Sequence, residues 1–268
     1  MAPATLGLAP PFRAPWEASL AQQPFGALFE RHVATEKELL AALGEIAAVG
    51  ETAVYPLDVG TVTLRTAARI ALVRPIELSA PLDLDDGHSG LELVGYGWSP
   101  LSIRPGLGAA VRATGTQALA LRGVHVFATG SDAPDTGLSI DDALVWLEGC
   151  VLVGTAGPLL SHGSTVSEVF AANCNLIGDI PALRISDSRF SSCRIDDLIV
   201  TSGFRSSFHG CDIGDVTISA GGDHAFSGNH ISGTVTAGAA LNACAFVGNS
   251  GGGNYAAVAA PSIAANNV

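Results

Sequence analysis

Three sets of side chains recur along this sequence at intervals that could assemble chemistry. Asp179, Asp197 and Asp215 stand 18 residues apart, each two residues after an isoleucine and preceded by Gly178, Asp196 and Gly214. Stacked carboxylates could share a proton, hold Ca²⁺, or present an acidic stripe. Aspartate beside glycine also satisfies a plain turn. Arg194, Asp212 and His230 recur at the same interval of 18, with Asn175 in the preceding unit. At an outward position they form a column suited to an anionic or hydroxylated glycan, or an exposed ion-pair ladder of little energetic weight.

The cysteines form the third set. The segments LEGCVL, AANCNL, FSSCRI, FHGCDI, FSGNHI and LNACAF share one frame, with Cys150, Cys174, Cys193, Cys211, Asn229 and Cys244 at its fourth position. Structural zinc needs four ligands converging tetrahedrally, and a line of parallel thiols does not converge. Buried free cysteine behaves as a small hydrophobe. The expected role is therefore an internal structural ladder, joined by Phe190, Phe208 and Phe226 and by Ile195, Ile213 and Ile231.

Other candidates are more local. DLDDGHSG places Asp83, Asp85, Asp86 and His88 in one loop. Tyr96 and Trp98 in GYGWSP could form a sugar-stacking platform or anchor a packed loop. Trp146 adjoins an inward position, which suits a core or interface residue. DAPDTG, from Asp132 to Gly137, reads as an inserted loop.

The elements that must position these groups follow from the spacing. Intervals of 24, 19, 18, 18 and 15 between ladder positions, with Val124 one coil of 26 earlier, contain no helical pattern. Equivalent positions recurring at about 18–26 residues describe a β-solenoid. In Cys-x-Ile the outer residues point inward and the middle one outward. The shrinking intervals predict coils that taper towards the C-terminus. Thr35 as N-cap, Glu38 as its capping-box partner, and Leu39, Leu40, Leu43 and Ile46 on one face predict a helix over 35–50. Residues 1–34 read as an attachment arm with anchors Phe12, Trp16, Phe25 and Phe29. Residues 35–249 read as helix plus solenoid, and 250–268 as a small-residue tail or tip.

Composition sets limits. The chain has 268 residues, 13 basic and 25 acidic side chains, a formal net charge of −12 and 48% hydrophobic residues. Such a chain is not disordered. Its charge argues against nucleic acid, and no apolar run is long enough for membrane insertion. Five cysteines without a CxxC do not make a secreted disulfide framework. The N-terminus lacks the basic and apolar regions of a signal peptide.

The segment TEKELLAALGEIAAVGETAVYPLDVGTVTL, followed by RPIELSA and GLELVGYG, resembles the entry and early coils of the pectin-lyase-like superfamily. The resemblance covers about 35–249 and implies an all-β fold: a right-handed parallel β-helix with an N-terminal capping helix and tapering C-terminal coils. Its members include polysaccharide lyases and hydrolases, phage tailspikes, and virion spike and fibre proteins. The lyases' Ca²⁺ ligands with an Arg or Lys base, and the galacturonases' Asp set with RxK, are not matched here, so no catalytic residue is carried over. The expectation is a spike or fibre of a phage or gene transfer agent at the particle surface. Residues 1–34 would contact other particle proteins, and the rod would contact cell-surface polysaccharide. By analogy a homo-oligomer, with a trimer favoured, would bury the tail. A polysaccharide lyase or glycoside hydrolase is the alternative. No cofactor is expected beyond the Ca²⁺ considered above.

Overall fold

The structure, a computed structural model, describes residues 29–48, 53–57, 60–64, 68–97, 100–103, 108–116, 118–128, 135–161, 166–237, 243–259 and 262–267. The chain is a parallel β-helix. One eleven-stranded sheet runs from Phe29–Val33 through Ala68–Leu72, Leu91–Gly95, Leu119–Arg122, Leu144–Glu148 and Glu168–Ala172 to Ile263–Ala265. A second eleven-stranded sheet runs from Ile76–Leu78 to Asn254–Val258. A third, of four strands, spans Leu82–Leu84 to Gly157–Ser161. All three pair in parallel, as coils rising about 4.8 Å each must. A separate antiparallel pair joins Ala53–Leu57 to Gly60–Leu64.

The core is a stack of like on like. Phe190, Phe208, Phe226 and Phe246 are fully buried, with successive ring centroids 4.8, 4.5 and 4.7 Å apart and nearly parallel. Ile195, Ile213 and Ile231 pair in register beside them. The tight turn between the first and second sheets needs one left-handed residue per coil. Gly149, Asn173, Ser192, Gly210, Gly228, Gly248 and Asn266 all have φ between 52° and 65° there. Each immediately precedes a ladder position, which explains why Gly and Asn recur in the frame.

The helix is Glu36–Ala47. Thr35 Oγ1 accepts the Glu38 N–H at 3.3 Å, and the Glu38 carboxylate accepts the Ala34 N–H at 2.8 Å. Leu39, Ala42, Leu43 and Ile46 are buried. Leu40, expected on that face, is 51% exposed, because position i+1 turns away by about 100°.

Four expectations need correction. Phe29–Val33, assigned to the arm, is the first strand of the first sheet and pairs with Ala68–Leu72. Residues 250–268, read as a tail, supply both terminal strands and so form a further coil. Cys244 does not continue the cysteine ladder: Ala245 pairs with Ala225, so Cys244 stands over His224. The ladder passes instead through Asn229 and Asn249 to Asn267, at intervals of 20 and 18. The coils therefore narrow to 18 residues and then stay at 18–20, rather than shrinking to 15.

Candidate functional site

The exposed column exists as a register of adjacent strands. Val151 pairs with Asn175, Asn175 with Arg194, Arg194 with Asp212, Asp212 with His230, and His230 bridges to Ser250. Asn175, Arg194, Asp212 and His230 are all exposed. The inward neighbours on both sides of each, Cys193 and Ile195 for Arg194, lock the backbone and leave the polar group on the surface. Arg194 Nε lies 3.7 Å from Asp196 Oδ1, a pairing within its own strand.

The acidic column has a different job. Asp197 Oδ1 accepts the Asp215 N–H at 2.8 Å, and Asp215 Oδ1 accepts the Thr234 N–H. Asp196 Oδ2 accepts the Gly178 N–H at 2.9 Å. The Asp196, Asp197 and Asp215 carboxylates thus tie their turns to the adjacent coils. Asp179 pairs with Asp197 across a register shift that absorbs the extra residue of its coil. That shift turns Ile177 outward, 41% exposed, so Asp179 does not follow a core isoleucine. Desolvation and the neighbouring Asp197 charge raise the Asp179 carboxyl above its ordinary range. Among the described residues, no three His, Cys, Asp or Glu side chains are grouped to hold a metal ion.

Cys150, Cys174, Cys193 and Cys211 are free, buried and in one row. Each thiol donates to a backbone carbonyl, Cys150 to Leu121 at 3.2 Å and Cys174 to Ala172 at 3.3 Å. Hydrogen bonding with neighbouring thiols, together with burial, pushes Cys174 and Cys211 well above the ordinary thiol range. Cys174 and Cys211, held in this way, suit an internal ladder better than a nucleophile.

The loop carboxylates also serve local structure. Asp85 caps the 3₁₀ turn Asp86–His88, accepting the Gly87 N–H at 3.0 Å, and its carboxylate lies 2.8 Å from His88 Nδ1. Asp83 lies 3.6 Å from Arg112. Of the segment expected as an inserted loop, Asp132 to Pro134 lie outside the described residues, and Thr136 and Gly137 open the strand Thr136–Asp141. Asp135 is fully buried and accepts the Gly108 N–H at 2.6 Å.

Tyr96 is 48% exposed and tilts against His32 at 6.4 Å. Trp98 lies outside the described residues, as do Phe12, Trp16 and Phe25. Of Phe29 only the backbone, which opens the first sheet, is described. Tyr96 belongs to the turn after the first sheet at the helix-capped end, and Arg194, Asp212 and His230 belong to the narrow coils. The two candidate surfaces are separate.

One cluster carries no signature in the sequence. On the outward side of the first sheet, Glu92 lies 2.5 Å from Arg69 Nε and 2.7 Å from Arg122 Nε, and Arg122 lies 3.7 Å from Glu148. Burial opposes the charge on Arg69, but the hydrogen bond and charge of Glu92 outweigh it and raise its pKa. Beside it Trp146, 8% exposed, stacks on Phe170 at 5.1 Å. Arg69 and Glu92 are 23 residues apart in coils of unequal length, so no constant spacing announces the cluster.

Models of known protein families match no part of the chain, and a search of curated proteins likewise finds no match. No helix among the described residues is long and apolar enough to cross a membrane.

Proposed function

We propose that this protein is a surface-binding rod, a spike or fibre of a phage or phage-like gene transfer agent that contacts cell-surface polysaccharide. The observation that carries the reading is the exposed column Asn175, Arg194, Asp212 and His230. It offers a donor–acceptor pattern repeated at the coil rise of about 4.8 Å. A chain of linked sugars presents hydroxyls in a similarly periodic way. The Asp196, Asp197 and Asp215 carboxylates are engaged by backbone N–H groups, which supports binding over acid–base chemistry on that edge. Attachment through residues 1–28 belongs to the same reading.

The test is binding of the full chain to capsular and lipopolysaccharide panels. Arg194→Ala/His230→Ala is expected to abolish capture while leaving the melting temperature unchanged. Silence across the panel, or unaltered capture by the double variant, would overturn the binding role. Release of reducing ends or unsaturated uronates would replace it with a lyase or hydrolase activity.

A further inference from the structure

The outward column and the turn carboxylates lie on the same coils. Asp196 and Asp197 follow Arg194 by two and three residues, and Asp215 follows Asp212 by three. At about 3.3 Å per residue, the two rows run at most about 10 Å apart. The Debye length at physiological salt is about 8 Å, so the two rows act on a ligand together.

The charges of this face are unequal. Asp179, Asp196, Asp197, Asp212 and Asp215 bring five carboxylates to it, all exposed or half-buried, against the one guanidinium of Arg194. That guanidinium is already balanced. Its Nε lies 3.7 Å from Asp196 Oδ1, and Asp212 stands in register on the next coil. Asp196, Asp197 and Asp215 are held in place by N–H groups of neighbouring coils, so they do not swing aside to admit an anion. The crowding is felt within the row, where desolvation and then the Asp197 charge raise the Asp179 carboxyl. Beyond the carboxylates the face carries uncharged hydroxyls. Thr217 pairs with Thr236, and Ser232 and Thr234 are exposed.

An acidic glycan brings its carboxylate or phosphate groups against a fixed surplus of carboxylates. Like charges that meet at an interface cost affinity and reject the wrong partner. Hydroxyl and amino groups meet the same surface as donors, and an ionised carboxylate is an acceptor only. Resting on the polysaccharide reading above, we infer that this face selects its ligand by charge. It takes a neutral or amino-bearing polysaccharide and rejects one that bears uronate, sialate or phosphate groups. Asp212 sets the choice, because it stands in the column itself, between Arg194 and His230.

The test is capture of the full chain on immobilised polysaccharides sorted into neutral, amino-bearing and uronate-bearing sets. It is run at about 0.15 M salt, where charges elsewhere on the chain are screened. Capture is expected on neutral or amino-bearing members and not on uronate-bearing ones. Asp212→Asn is expected to raise the ratio of uronate-bearing to neutral capture about threefold, the effect of removing one like charge at about 6 Å in water. Ala225→Lys changes the net charge equally from an exposed position on the first sheet, and is expected to leave that ratio unchanged. An equal rise in both variants, or no rise in Asp212→Asn, would overturn the role of Asp212. Capture of uronate-bearing members as strong as that of neutral ones by the unaltered chain would overturn the selectivity and leave the polysaccharide reading standing. Silence on every set would overturn that reading, and the inference with it.

Discussion

Asn249 Oδ1 accepts both the backbone N–H and the side-chain Nδ2–H of Asn229, each at 3.0 Å. One amide oxygen therefore closes two donors of the coil before it, in a position with almost no access to water. The cysteines of the earlier coils fill the same column but offer no comparable acceptor, and there the thiols bond to carbonyls instead.

Asn249→Ala leaves those two donors unpaired and is expected to cost about 2–4 kcal/mol. Urea unfolding of the full chain measures it. Cys174→Ala, which removes only a thiol from the same column, is expected to cost less than Asn249→Ala in the same assay.

Phe208 has a parallel ring on either side, at 4.8 and 4.5 Å. Phe208→Ala opens a gap in the middle of the narrow core and is expected to cost about 3–5 kcal/mol. Phe208→Leu is expected to cost less, and the pair of denaturation midpoints separates lost volume from lost stacking.

His224 is buried and accepts the Ser206 N–H through Nδ1 at 3.3 Å. Burial lowers its pKa, against the attraction of Asp223. The unfolded chain then binds a proton more readily than the folded one. Its contribution to stability is complete above about pH 6.5 and is lost as the pH falls through the folded value. His224→Ser, the residue that Ser188 and Ser206 already place in this column, is expected to flatten the loss of melting temperature between neutral and mildly acidic pH.

Glu92 holds Arg69 and Arg122 on a surface where its side chain is 10% exposed. Glu92→Gln removes the carboxylate that Arg69 and Arg122 share, leaving Arg122 with Glu148 at 3.7 Å, and is expected to cost about 3 kcal/mol. Arg69→Met/Glu92→Leu/Arg122→Met, which removes the charges together, is expected to recover most of that loss, measured by thermal melting.

The middle of the rod was legible because each coil there repeats three unlike signals at one interval. These are an inward small residue, an inward aromatic and a left-handed turn residue, as in Phe190, Ser192 and Cys193. The coil before the last misled because LNACAF imitates the frame. Phe246 pairs with and stacks on Phe226, and Cys244 is carried to the His224 position. The exposed column was legible for the same reason as the core. Alternation along a strand fixes the outward residue once the inward ones are known. The binding of the acidic carboxylates to backbone N–H groups was not legible, because spacing places a side chain without saying which way its oxygens turn. The ionic chain around Glu92 was hidden by the unequal early coils, across which Arg122 reaches diagonally rather than in register.

From Cys193 to Asn229 every column advances by 18 residues: the Phe stack, the turn aspartates, the outward polar row and the ladder itself. Excising residues 193–210 would join Ser192 to Cys211 with all of those columns still aligned. The molecule would be shorter by one rise, about 4.8 Å. Duplicating the segment would lengthen it by the same step. Length is thus a quantity that unequal recombination can change in whole increments, without inventing a new core or a new end. The reach of this protein is set like the count of notches on a ruler.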